Sequence, residues 1–200
     1  DEEKRMFRLP DKGTFAYFKN RKKVTGRLTV IGFLTVLVIF LTGVIIYHNN
    51  KSIFTVIAAV AVLPAAKMLV SYIITAGFES VSKEKYDEIS GIVDSEEKGI
   101  VLCDILLASK EKSMIAGMVV LCDGNILMYT DSKKANPQET ENYVKEIMQN
   151  CNYTSIKQYT DFAPFKNRVA GTVSAIKEGE MERRKTMQER MEKNILIYTV

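Results

Sequence analysis

Two long apolar runs dominate the first third of the chain, and shorter mixed segments follow. Leu28 to Tyr47 reads LTVIGFLTVLVIFLTGVIIY and carries no charge. About twenty such residues in a helix cross the hydrocarbon core of a bilayer. A soluble core helix needs one wet face, which this run lacks. A secretory signal fits poorly as well: 27 residues precede the run, and no small-x-small cleavage pattern follows it. Ile53 to Gly77 is the second run, interrupted only by Pro64 and Lys67. The polar stretch His48-Asn49-Asn50-Lys51-Ser52 between them is short enough to force a reversal. The pattern therefore predicts a transmembrane hairpin with spans 28–47 and 53–77. Ala58, Ala61 and Ala65 on the second helix, with Gly32, Thr35 and Gly43 on the first, form the expected packing seam.

Beyond residue 78 the pattern changes. Val81 to Gly91 has helical spacing, with Ser82 placed to cap it. Ile100–Ser109 and Met114–Cys122 are apolar on both faces and read as strands joined by a three-residue turn, Lys110-Glu111-Lys112. Asp123-Gly124-Asn125 marks a tight turn into a third strand, Ile126–Thr130. Asn136-Pro137 opens a helix through about Asn150, with Tyr143, Ile147 and Met148 on its inner stripe. Tyr153–Tyr159 alternates as a fourth strand. One long final helix follows Asp161, its stripe Phe165, Val169, Val173 and Ile176 facing the sheet. Past Gly179 its charges form i,i+4 pairs, Glu180 with Arg184 and Glu189 with Lys193, and this half is expected to be solvated or to meet a partner. Ile195–Tyr198 fits a last strand or a frayed tail. The fold class is α+β: an N-terminal transmembrane hairpin, then a cytoplasmic domain of order α-β-β-β-α-β-α(-β) with a mixed or antiparallel sheet. The domains are a basic arm 1–27, the hairpin 28–77 and the domain 78–200.

Charge sets the orientation. Residues 1–27 hold nine Lys or Arg against four acids, while the whole chain is only +4. Lys19, Arg21, Lys22, Lys23 and Arg27 crowd the first span, the turn offers Lys51, and Lys83 and Lys85 follow the second span. Basic flanks stay inside, so both termini are expected in the cytoplasm of a plasma-membrane, multi-pass protein. The same cluster suits anionic lipid, and Phe15 to Lys23 fits a short helix lying on the inner leaflet. Its other reading is a plain positive-inside flank. Because the surplus is local to the membrane side, it does not suggest a nucleic-acid partner.

Lys67 is the one charge inside a span. From Ile53 it is about 21 Å deep at 1.5 Å per residue. It then lies about 9 Å from the inner boundary of the core, within reach of a snorkelling lysine stem. The competing reading is a substrate or ion site of a transport accessory subunit.

Chemistry is sparse elsewhere. The single histidine, His48, lies in the outer turn, so the domain has no histidine-based triad and no full zinc ligand set. Cys103, Cys122 and Cys151 form no CxxC motif and read as small core residues, with Cys103 expected opposite about Val119. No cofactor is expected. Asp104 stands alone in the most apolar strand, and its simplest reading is a solvent-facing carboxylate. Asp131-Ser132-Lys133 has the D-x-K form of restriction-endonuclease-like folds, whose core order is similar to helix, three strands, helix, strand. In that resemblance Asp104 and Asp131 hold a divalent metal beside Lys133. Asp104 is on the first strand rather than the second, and Asp131 is past its strand end, so the pattern departs from that family. Met187 and Met191 are four apart on the last helix and form an expected contact for a protein partner.

FRLPDKGTFAYFKNRKK, the two spans with LPAAK in the second, and the compact domain resemble a family of small two-span membrane proteins from Gram-positive bacteria. Some members are labelled O-linked N-acetylglucosamine transferase-like, but no residue here forms a sugar-nucleotide signature. The resemblance implies a bacterial plasma membrane. Together these readings point to a membrane-anchored interaction or regulatory module without catalysis. The alternative is a membrane-tethered, metal-dependent hydrolase.

Overall fold

The computed structural model describes residues 9–47, 53–94, 98–109, 113–132, 135–176 and 181–199, with side chains at all of these except 47 and 181–183. The turn 48–52, Lys133 and Glu180 lie outside the described residues. Two compact units result: one holds residues 18–79, the other combines Asp11–Tyr17 with Ser80–Val200.

The first unit is a pair of helices, α1 (Tyr17–Tyr47) and α2 (Ile53–Ala76). At 1.5 Å per residue they are about 46 and 36 Å long, and both exceed the roughly 30 Å needed to cross a bilayer core. Their contacts run antiparallel. A Cβ on Gly26 would meet the Tyr72 ring at 3.4 Å, and one on Gly32 would meet the Ala65 Cβ at 3.0 Å. The α1 seam is Thr25, Thr29, Gly32 and Gly43; that of α2 is Ala58, Ala65 and Thr75. Thr35, expected in the seam, is instead exposed and donates to the Ile31 carbonyl one turn back. Large aliphatic residues cover the outside: Leu63 is 70% exposed, Ile45 69% and Val60 62%. α1 is continuous from Tyr17, so Phe15–Lys23 is not a separate surface helix.

The second unit is α+β. Its elements are α3 (Lys83–Asp94), β1 (Gly99–Ala108), β2 (Ser113–Cys122), β3 (Asn125–Tyr129), α4 (Pro137–Ile147), β4 (Ser155–Tyr159), α5 (Phe162–Ser174) and α6 (Met181–Ile197). The sheet is mixed, in order β1-β2-β3-β4, with β4 parallel to β3 and the other pairs antiparallel. Strands apolar on both sides require cover on both sides. α3 and α5 supply it on one face through Ile89, Val93, Phe165, Val169 and Val173. α4 and α6 supply it on the other through Val144, Met148, Met191 and Ile195. Asn136 caps α4, accepting from the Glu139 amide at 3.5 Å, and Pro137 fits the first turn. Asp161 stands at the N-cap of α5 but makes no side-chain cap bond.

Three expectations change here. The long final helix is two helices, because α5 ends at Ser174 on one face while α6 lies on the other. Ile195–Ile197 is helical, and only an isolated bridge, Leu107 with Thr199, extends the sheet there. Ala108 pairs with Ser113, which leaves four residues in the connection, so Cys103 faces Met118 rather than Val119.

Both outer edges of the sheet have backbone amides engaged, as exposed edges invite mispairing. On β4 the Gln158 amide donates to the Glu141 carboxylate at 2.9 Å. On β1 the Cys103 amide donates to the Gly13 carbonyl at 2.8 Å, and the Ala108 amide to the Tyr198 carbonyl at 3.4 Å. Lys12 bonds to the Thr199 carbonyl, joining the two covering segments. Residues Asp11–Tyr17, read from sequence as part of a basic arm, thus belong to this unit.

Candidate functional site

Asp104 is fully buried, not solvent-facing. Its φ of 54° is left-handed, a conformation that Asp tolerates better than most residues. The consequence spans two strands. Alternate strand residues share a face, yet Cys103 packs into the α3/α5 layer and Ile105 into the α4/α6 layer. Opposite them, Met118 and Ala116 separate in the same way. The strands change face together at Asp104 and Gly117. A Cβ on Gly117 would come within 2.6 Å of Val81 Cγ2, and Ser80 donates to the Asp104 carboxylate at 2.6 Å. Both positions therefore meet the Ser80–Val81 segment.

Beside Asp104, burial first and the carboxylate second push the Cys103 thiol up to about 12. It is a protonated, unreactive core group at neutral pH. Cys122 is buried too, while Cys151 is half-buried and accepts from Asn194 Nδ2 at 3.1 Å.

Asp131 follows β3 and is engaged from two directions. Lys85 of α3 donates to its two oxygens at 2.7 and 2.9 Å and to the Tyr129 hydroxyl at 2.7 Å. Tyr129 itself donates to Asp131. The ammonium also lies 5.1 Å from the Tyr129 ring centroid and 5.6 Å from that of Phe162. For Lys85, burial pulls the pKa down, but the bonds to Asp131 and Tyr129 outweigh it and the net shift is upward. The Tyr129 phenol is also raised, by burial first and then by Asp131, against the opposing pull of Lys85. Both groups keep their protons at neutral pH, so neither supplies a ready base or nucleophile.

The D-x-K reading needs Asp104, Asp131 and Lys133 around one ion. Lys133 lies outside the described residues. Extending the β1-β2 and β2-β3 registers puts Asp104, Gly117 and Thr130 in one row, so Asp104 and Asp131 are two strand spacings apart, about 10 Å. Asp131 already holds an ammonium. Among the described residues, no three His, Cys, Asp or Glu side chains gather as a metal site.

The methionine pair is corrected in part. Met191 is fully buried in the α4/α6 layer, and Met187 packs against that layer with its methyl near Gly124. They hold α6 on its own sheet because their stripe continues through Ile195. A shallow cavity of about 340 Å³ opens between the end of α4 and α6, lined by Asn150, Cys151, Asn152, Thr186, Met187 and Arg190. It brings one cation and amides together but no acid–base pair.

Of the basic residues on α1, two turn inward. Arg21 donates to Ser71 Oγ at 3.1 Å, and Lys22 bonds to the Phe78 carbonyl. Lys19, Lys23 and Arg27 are exposed. Lys67 is exposed on α2. The inward role of Arg21 and Lys22 is not visible in sequence, where the five cations look alike. No protein-family model, curated protein or solved structure matches this chain.

Proposed function

We propose that this chain is a membrane-anchored module whose α1–α2 hairpin spans a bacterial plasma membrane, with residues 11–17 and 80–199 together on the cytoplasmic side, where they serve interaction or regulation rather than catalysis. One observation carries most of this reading: one compact unit takes chain from before α1 and from after α2. Two spanning helices return the chain to its starting side, as such a unit requires. The exposed aliphatic surface of both helices supports the anchor, and the excess of Lys and Arg before α1 supports the cytoplasmic side. The partner is a protein meeting the outer side of α6, where Lys185, Glu189, Lys193 and Ile197 are exposed at intervals of four. Snorkelling accounts for Lys67 in this reading.

The second reading is a hydrolase of restriction-endonuclease-like fold. It is favoured by the order α3-β1-β2-β3-α4-β4 with β4 parallel to β3, and opposed by the engagement of Asp131. Paired reporter fusions at residue 50 and after residue 200 test the topology. Opposite compartments are expected, and a cytoplasmic signal at residue 50 rejects the anchor. Charge reversal at Lys185 and Glu189 is expected to abolish crosslinks to the partner in native membranes. Metal-dependent nucleic-acid cleavage lost in Asp131→Asn would install the second reading instead.

A further inference from the structure

The helix pair sorts its cations by face. On α1, Lys23 and Arg27 continue upward into Ile31, Leu34, Val38, Leu41 and Ile45, at steps of four or three residues, and all seven are exposed. Such spacing keeps residues on one side of a helix. The opposite side carries the seam Thr25, Thr29 and Gly32 toward α2, and there Arg21 and Lys22 are held by Ser71 and Phe78. The two cations on the outer stripe thus lie directly beneath its aliphatic part.

Heights along the axis fit this arrangement. Taking Leu28, the first aliphatic position of the span, as the boundary, Arg27 is about 1.5 Å below it and Lys23 about 7.5 Å below at 1.5 Å per residue. The headgroup layer is roughly 5–7 Å thick on each side of the hydrocarbon core. Arg27 falls inside that layer and Lys23 at its outer rim, where a flexible lysine stem reaches upward. Beside them the Tyr72 ring, 39% exposed, packs over Gly26 and places an aromatic group at the same level.

We infer that the outer stripe of α1 is a binding surface for an anionic phospholipid, with acyl chains along Ile31, Leu34 and Val38 and a headgroup phosphate on Arg27 and Lys23. Arg supplies a planar fork for phosphate oxygens and Lys a mobile point charge. A headgroup without its own cation leaves that charge complementarity intact, so phosphatidylglycerol is favoured over phosphatidylcholine. This rests on the spanning reading proposed above.

The chain has no tryptophan, so Ile31→Trp in the full chain gives a single reporter within the stripe. Reconstitution with brominated phosphatidylglycerol or brominated phosphatidylcholine measures which lipid sits beside it. Quenching should favour the glycerol lipid by up to roughly fivefold per cation at low salt, and less at high salt. Lys23→Gln with Arg27→Gln should bring the two lipids level, while Lys23→Arg with Arg27→Lys should keep the preference. Equal quenching by both lipids in the reporter background overturns this inference and leaves the spanning reading standing. Absence of quenching by either overturns both. Loss of the preference on adding soluble glycerol phosphate would assign the cations to a free phosphate and overturn the lipid assignment.

Discussion

Gly13 and Cys103 are ninety residues apart and share a 2.8 Å hydrogen bond, with the Cys103 amide donating to the Gly13 carbonyl. The bond occupies an outward-facing group of the edge strand β1. Gly13 has φ of 81°, and a Cβ there would come within 3.1 Å of both Leu102 and Leu196. Gly13→Ala should therefore cost about 1–2 kcal/mol, from left-handed backbone strain and crowding. Hydrogen exchange at the Cys103 amide in the purified full chain checks this, and unchanged protection would refute it.

A fragment beginning at residue 80 should behave worse than the unit it contains. It loses Gly13 from the β1 edge and Phe15 from its stack on Tyr86, whose rings are 4.5 Å apart. An uncovered strand edge pairs with other chains. Light scattering should show association of this fragment, and linking residues 11–17 to its N-terminus should restore the monomer.

Asp104 holds a left-handed position inside a sheet, so substitutions there should rank by backbone tolerance. Asp104→Asn tolerates that conformation and can keep the Ser80 bond. Asp104→Val should cost about 2–4 kcal/mol, since a β-branched residue strains at positive φ and the hydroxyl of Ser80 loses its acceptor. Urea unfolding of the two variants measures the difference, and equal midpoints would disprove it.

Alkaline stability should report the Lys85–Tyr129–Asp131 cluster. Both Lys85 and Tyr129 are raised in the fold. A raised pKa means that the folded state favours the protonated form. The contribution is complete below the unfolded values, about 10, and is lost as pH climbs through the higher folded values. Melting temperature should thus hold near neutral pH and fall above about pH 10, with a shallower fall in Lys85→Met.

In the hairpin, Gly32 meets the Ala65 methyl group so closely that Gly32→Val should force the helices apart, at about 1–3 kcal/mol. Crosslinking between cysteines placed across the seam should drop in this variant, and Ala65→Gly in the same chain should recover part of it.

Sequence pattern anticipated the strands, the two apolar helices and the Asn136-Pro137 start of α4 because each is a local periodicity or a local turn preference. The break between α5 and α6 escaped for a definite reason. Phe165, Val169, Val173 and Ile176 are followed, eleven residues after Ile176, by Met187 and then Met191 and Ile195. Eleven residues are just over three whole turns, so the phase passes through the break nearly unaltered and one helix looks continuous. Only the sheet distinguishes them, since the two stripes cover opposite faces. The change of face at Asp104 was hidden because LCDILL is apolar on both sides of the aspartate. Alternation cannot register a switch when neither face is polar. The polar clasp on Asp131 depends on Lys85, 46 residues earlier, a pairing that no local spacing encodes.

In the spanning arrangement proposed above, sharing one domain between the two flanks of the helix pair also gives the chain a way to verify its own insertion. Synthesis delivers residues 11–17 first, but the strand edge they complete is made only after both apolar helices have emerged. A molecule threaded with one helix across the bilayer and the other left behind would strand Gly13 on the wrong side from Cys103. Its sheet would stay open at β1 and be exposed to proteases. In that arrangement correct threading and a closed domain are a single event, so a folded domain certifies that both apolar helices have crossed.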